Sequence, residues 1–137
     1  MKFKAIVSNL VYCRNWTADI KYLGDDRFKE FPKLAPKSKA EYAFIEHMIY
    51  QLEEKGKIAI LVSHGVLFRG ANEAIIREYL IKEKNYLDGV IGLPPNLLSS
   101  TTIPVAIMIL KKGRVKLRML CLLMHLMSLK KEKIEIY

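Results

Sequence analysis

The chain has 137 residues, of which 51% are hydrophobic and 27% charged, with a formal net charge of +9. That length holds one domain with one core, and the balance excludes a disordered chain. No run reaches membrane-span length, no basic-then-apolar leader opens the chain, and Cys13 and Cys121 lack metal-ligand spacing. The sequence therefore predicts a cytoplasmic protein with reduced thiols, no metal and no membrane contact.

The charge is uneven. From Lys111 onward eight Lys or Arg face two Glu, which leaves +3 on the first 110 residues. A basic excess confined to a tail attracts polyanions without sequence preference.

Phe3 to Ser8 is a short apolar run and reads as a buried strand. From Asn9 to Lys37 the pattern breaks into polar residues with Gly24, Pro32 and Pro36, among scattered Trp16, Tyr22, Phe28 and Phe31. A long connection with little regular structure is more often functional than not. Ser38 and Glu41 form an S-x-x-E capping box. They predict a helix with Ala40, Phe44, His47, Met48 and Leu52 along one face and Gly56 as its stop. Lys57 to Ser63 is a second buried strand, followed by the turn "HGVLFRG". Asn72 caps a second helix with Ile75, Ile76, Tyr79 and Leu80 inward, ending near Asn85. "LDGVIGLP" and "TTIPVAIMILKK" supply two more strands, a candidate antiparallel pair at a sheet edge. This alternation is that of an α/β sheet covered on both faces. After Lys112 the chain turns Leu- and Met-rich, then basic, without a clean period.

From Leu34 to Lys112 the sequence resembles, almost continuously, the modification subunit of type I restriction-modification systems, a family of adenine-N6 DNA methyltransferases. "GVLFRG" before the second helix and "GLPPNL…TTIP" before the last strand are the most specific phrases. The resemblance implies a partial Rossmann-like sheet of the S-adenosylmethionine-dependent methyltransferase type. It would comprise the last four strands with two helices, without the cofactor-binding first half. The family's glycine-rich loop and ribose-holding acidic residue have no counterpart here. The cofactor S-adenosylmethionine is thus implied by the family, and no residue of this chain is assigned to it. Residues 1–112 read as the C-terminal half of the methylase domain, and 113–137 as an atypical tail. Back-translated with A/T-rich codons and read in a shifted frame, the tail spells V-M-F-I-D-A-S-N-E-F-K-K-G-K-N-R-N-L. That phrase resembles the family's continuation, and it implies a change of reading frame shortly after Lys112.

The family's base-gripping turn is Asn-Pro-Pro followed by Tyr or Phe, and "SNLVY" stands in its place. Asn9 and Tyr12 match, whereas Leu10 and Val11 replace the prolines. By resemblance, the Asn9 side-chain oxygen and the next backbone carbonyl accept the two N–H bonds of the adenine amine. The Tyr12 ring stacks on the extruded base. Without prolines two φ angles are free, and the turn loses preorganisation. Lys4, where the family has Asp, and Leu98-Ser99-Ser100, which lack the usual aromatic and glycine, depart further.

Together these imply a decayed site on an incomplete fragment that is inactive alone. Its implied partners are DNA, the specificity and restriction subunits, and a separately encoded N-terminal half. The alternative is a non-catalytic module that binds the specificity subunit, that half, or DNA. Phe3 to Val7 becomes an open sheet edge, which predicts low stability and self-association.

Other residues receive plainer readings. His47 belongs to the core face, His64 shapes a loop, and His125 in the tail has no role. Trp16 and Tyr22 either line a DNA-facing loop or, as is commoner, anchor it. Arg69 and Lys37 either touch phosphate or, as is commoner for isolated cations, are simply solvated. Asn96 in "LPPNL" stands after its prolines and reads as structural.

Overall fold

The computed structural model describes residues 1–98, 102–113 and, for the backbone alone, 121–124. Its strands are β1 (Phe3–Asn9), β2 (Leu52–Ser63), β3 (Leu87–Gly92), β4 (Val105–Lys111) and β5 (Cys121–Met124), in spatial order β1-β2-β4-β3-β5. β1 is parallel to β2 and β5 to β3, while β4 is antiparallel to both its neighbours. β1, β2 and β3 therefore end at one edge of the sheet, where β4 begins. The helices are α1 (Glu41–Gln51), α2 (Gly65–Phe68) and α3 (Ala71–Glu78), the last continuing as a π-helical turn over Tyr79–Glu83.

Strand alternation sorts the side chains into two faces. Ile58, Ile60 and Val62 of β2 are at most 1% exposed, and Leu110, Met108 and Ala106 opposite them on β4 are buried with them. Tyr42, Ile45 and Ile49 from α1 and Ile76 and Leu80 from α3 join the same cluster. Each such side chain contributes about 1.5–3 kcal/mol on burial. Both helices thus lie on one face. On the other, Val7 is 84% exposed and Ala59, Leu61, Ile107 and Ile109 are only half-buried. The expected cover of both faces is found on one among the described residues.

Several local expectations change. Ser38 does not cap α1. The N-cap is Ala40, without a side-chain cap bond, and Glu41 turns inward onto Arg69. A buried charge must find its counter-ion, and that requirement outweighs an exposed capping bond. Gly56 is not the helix stop but part of β2, where a Cβ would meet the Leu52 side chain at 2.6 Å. α3 is capped at Gly70, and Asn72 Nδ2 instead donates to the Leu34 carbonyl at 3.1 Å. Ile75 is 40% exposed rather than inward. β3 and β4 do pair antiparallel, but β4 is inserted between β2 and β3, and β5 lies outside β3. β1 forms the opposite edge.

The long connection is held by its aromatics. Trp16 stacks on Tyr22 with centroids 5.8 Å apart, and both pack on the buried Phe28. Trp16 Nε1 donates to the Pro36 carbonyl at 3.0 Å, which ties the two ends of the connection together. These rings anchor the segment to the body.

Glu46 on α1 is fully buried, and neither carboxylate oxygen has a hydrogen-bond partner. Burial pushes its carboxyl up to about 9. The folded chain holds this proton where the unfolded chain has released it, so stability falls as pH rises from the ordinary carboxylate range toward about 9. Glu73, also pushed up by burial, acts in the same direction. His47, pushed down by burial, acts oppositely, and only below the ordinary imidazole range. Between roughly pH 7 and 9, urea unfolding will show stability falling by up to about 1.4 kcal/mol per pH unit, and Glu46→Gln will remove most of that slope.

Candidate functional site

The register that pairs Asn9 with Leu61, and Ser63 with Val105, gathers three loops at one edge of the sheet. They are the turn after β1, the segment after β2, and the approach to β4.

The turn after β1 is pinned by Leu10. Its N–H donates to the Leu61 carbonyl at 3.3 Å, and its side chain is 5% exposed within the main core. A proline here has no N–H to give. Leu10 thus exchanges a covalent limit on φ for a hydrogen bond and an apolar anchor. Val11, 56% exposed, has no such anchor. Cys13 closes the turn with a positive φ of 54°. Asn9 and Tyr12 are brought together, and the Tyr12 hydroxyl donates to Asn9 Oδ1 at 3.1 Å. Partial burial pushes that hydroxyl above its ordinary value, so it stays protonated as a donor. The pair is open to solvent and combines an amide acceptor with an aromatic face.

The segment after β2 is built around a buried ion cluster. Arg69 Nη2 donates to Glu41 Oε1 at 3.0 Å, and Arg69 Nε lies 2.6 Å from Glu73 Oε2 in a close ion pair. Arg77 Nη1 donates to the carbonyls of Val66 and Arg69, and the buried Tyr42 hydroxyl donates to Val66 at 2.8 Å. A Cβ at Gly65 would stand 3.1 Å from the Arg69 guanidinium, which would have to give by a few tenths of an ångström. Phe68 projects from this clamp, 73% exposed. Arg69 is therefore a structural counter-ion and not a solvated cation. The cluster of Glu41, Glu73 and Arg77 went unread in the sequence, where its only sign was charge inside helical stretches.

His64 joins β2 to β4. Its N–H donates to the Pro104 carbonyl at 3.0 Å, and its Nε2 lies 3.1 Å from the Val105 carbonyl. Asn96 is exposed with a φ of 58° in the β3–β4 loop. Leu98 is half-buried, while Ser99 and Ser100 lie outside the described residues, as does His125. Lys4 is exposed early in β1, about 16 Å of strand before Asn9, and is not part of the turn. His47 is half-buried on α1, away from this edge.

Neither the turn Asn9–Cys13 nor the segment Ser63–Gly70 contains a carboxylate that could accept the ribose hydroxyls of S-adenosylmethionine. These residues do not by themselves fit that cofactor. No described helix is long and apolar enough to cross a membrane.

A parallel sheet with one inserted antiparallel strand, helices on its face and loops converging at the strand ends is part of a methyltransferase-type α/β fold. The N-6 DNA methylase family model matches residues 1–134, past Lys112 and through β5. The methylase subunit of the type I restriction enzyme MpnII of Mycoplasma pneumoniae is 44% identical over 116 residues, 83% of this chain and 21% of that protein. The HindI methylase subunit of Haemophilus influenzae is 35% identical over 80 residues, 58% of this chain and 18% of its own. The crystal structure of a type I restriction-modification methyltransferase subunit from Streptococcus thermophilus superposes with a TM-score of 0.79 at 46% identity, over 82% of this chain and 24% of that one. A class I S-adenosylmethionine-dependent methyltransferase structure from Listeria monocytogenes shares the fold, with a TM-score of 0.63 at 24% identity. The chain belongs to the N-6 DNA methylase family. It spans about a fifth of the length of these curated relatives.

The ion cluster yields a direct test. Arg69→Met leaves Glu41 and Glu73 buried without their counter-ion and will cost about 3–5 kcal/mol in urea unfolding at neutral pH. Most of that cost will vanish when Glu41→Gln and Glu73→Gln are added to Arg69→Met. A triple variant as unstable as the single one rules out the counter-ion role.

Proposed function

We propose that this chain carries the target-adenine side of an N6-adenine DNA methyltransferase of the type I restriction-modification kind. Support comes chiefly from one observation: an Asn9 amide oxygen that accepts from the Tyr12 hydroxyl at 3.1 Å, in a pinned turn at the strand-end edge of a methylase-family sheet. The exocyclic amine of adenine is a poor nucleophile because its lone pair is delocalised into the ring. Asn9 Oδ1 and the Leu10 carbonyl would accept its two hydrogens and favour a more tetrahedral nitrogen. Asn9 Oδ1 has two lone pairs, so the Tyr12 hydroxyl can stay on one while the amine takes the other. The Tyr12 ring would stack on the extruded base, worth about 1–3 kcal/mol.

S-adenosylmethionine, the methyl donor of the family, needs groups that this edge does not provide. The chain is accordingly an incomplete catalyst by itself, and a separate polypeptide or further residues would supply the cofactor half. Target sequence would be read by a specificity subunit, and the restriction subunit would complete the complex. The reading of 113–137 as a shifted-frame product remains a proposal, tested by the nucleotide sequence around Lys112.

The test uses this chain with a polypeptide carrying the region that precedes the matched segment in the Streptococcus thermophilus subunit. Methyl transfer to adenine will be absent with this chain alone and detectable in the mixture, but well below the pace of relatives with Asn-Pro-Pro-Tyr, because two φ angles of this turn are free. Asn9→Ala will lower the rate about 100-fold or more. Tyr12→Phe will stay within a few-fold, while Tyr12→Ala will lose roughly 10- to 100-fold through lost stacking. Unchanged turnover in Asn9→Ala, or turnover by the chain alone, overturns the assignment.

The open sheet favours a second reading, a non-catalytic docking module. Among the described residues no strand pairs with the outer edge of β1, and Val7 stands exposed on the face that carries no helix. Isolated chain will then self-associate with concentration in sedimentation, and Val7→Lys will weaken that association without loss of helix signal.

A further inference from the structure

We infer that Arg14, Lys37 and Lys39 form a clamp for the phosphates of a DNA strand beside the Asn9–Tyr12 turn; this rests on the DNA reading above and adds where the backbone is gripped. In the sequence these cations are separated by up to 25 residues. The fold brings them together. The Ala40 N–H donates to the Arg14 carbonyl at 2.9 Å, and the Trp16 N–H donates to the Lys37 carbonyl at 2.9 Å. Two short segments thus run side by side, braced by Trp16 Nε1 on the Pro36 carbonyl. Lys39 Nζ reaches Cys13 Sγ at 3.1 Å, directly after Tyr12 in the chain.

None of the three is held in a direct ion pair among the described residues, although Asp19 lies within electrostatic reach of Lys37. Elsewhere in the same connection Asp19 pairs with Lys21, Asp25 with Arg27 and Asp26 with Lys29. Glu41, two residues beyond Lys39, is turned into the core onto Arg69. Among the described residues no carboxylate forms an ion pair with Arg14, Lys37 or Lys39. Arg14 and Lys37 are exposed and Lys39 is half-buried. Three cations on a braced ledge, the nearest two residues from the base-facing tyrosine, suit the evenly spaced negative charges of a nucleic-acid strand. They are placed to hold the sugar-phosphate backbone while a base reaches the turn.

The test is anisotropy titration of a labelled, adenine-containing single-stranded oligonucleotide at several salt concentrations. It compares the full chain with R14Q/K37Q/K39Q and with K130Q/K131Q/K133Q, which removes the same charge from the tail. The clamp variant is expected to lose at least ~10-fold in affinity at low salt, and its slope of log K against log salt to fall by about 2, with a smaller loss in the tail variant. Cys13 supplies a local readout, being exposed, next to Arg14 in the chain and 3.1 Å from Lys39 Nζ. Saturating DNA is expected to slow its alkylation by N-ethylmaleimide several-fold in the wild type and the tail variant. Equal losses in the two variants, or DNA binding that leaves Cys13 as reactive as before, overturn the clamp but leave the DNA reading standing. Wild-type chain that binds no DNA overturns both. Unchanged far-UV circular dichroism in both variants confirms that affinity, not folding, is being read.

Discussion

Leu10 is where the sheet and the turn are joined. Its N–H extends the β1–β2 pairing by one residue through the Leu61 carbonyl, and its side chain enters the core. The direction of Asn9 and Tyr12 follows from that joint. β2 is held on its other side by a continuous antiparallel ladder with β4, from Lys57–Lys111 to Ser63–Val105. The ladder in turn fixes His64 against Pro104 and Val105. A shift of one residue in the β1–β2 register would put Leu10 outside and reverse the turn. Proline stiffens such a turn locally, whereas leucine ties it to the core, so here its geometry is only as good as the packing beneath it.

The segment after β2 follows the same logic with charge in place of apolar contact. One guanidinium bridges carboxylates from the first turns of α1 and α3, and the short segment after β2 carries it. Buried ion pairs add little net stability over apolar packing, but they penalise any arrangement that separates them. That suits a loop whose position matters more than its contribution to folding. The α1–α3 distance and the placement of Phe68 are thereby fixed together.

The existence of β1 to β4 and of α1 and α3 was legible because period and composition are local properties. Their buried faces were less so: β1 is mostly exposed, Phe44 and Ile75 point outward, and Leu52 opens β2 instead of closing α1. The strand order was not. β4 follows β3 in sequence but is inserted beside β2, and nothing within either run encodes a neighbour so remote. The capping box at Ser38 failed for a related reason, since Glu41 answers to Arg69, 28 residues away. Gly56 resembled a helix stop, yet it is set by the Leu52 side chain, which a Cβ would strike. The resemblance of "SNLVY" to a known turn singled out Asn9 and Tyr12, and the fold brings their side chains into contact. The anchoring by Leu10 was hidden, because its partner Leu61 lies on another strand. Lys37 appeared isolated for want of the pairing that sets it beside Arg14.

The acidic and basic groups are segregated in a way the net charge does not reveal. Glu41, Glu46 and Glu73 are buried, two on a guanidinium and one kept neutral by its surroundings. Asp19, Asp25 and Asp26 are engaged within the long connection by neighbouring cations. Drawing carboxylates inward or into local pairs leaves the outward field near the turn to Arg14, Lys37 and Lys39. The first 110 residues have a modest surplus of +3, but the field at a given edge depends on which charges are paired, not on the sum. The same inward placement of Glu41 that displaces the helix cap also removes the carboxylate nearest in sequence to Lys39, so the packing of α1 and the polarity of the site have a common cause.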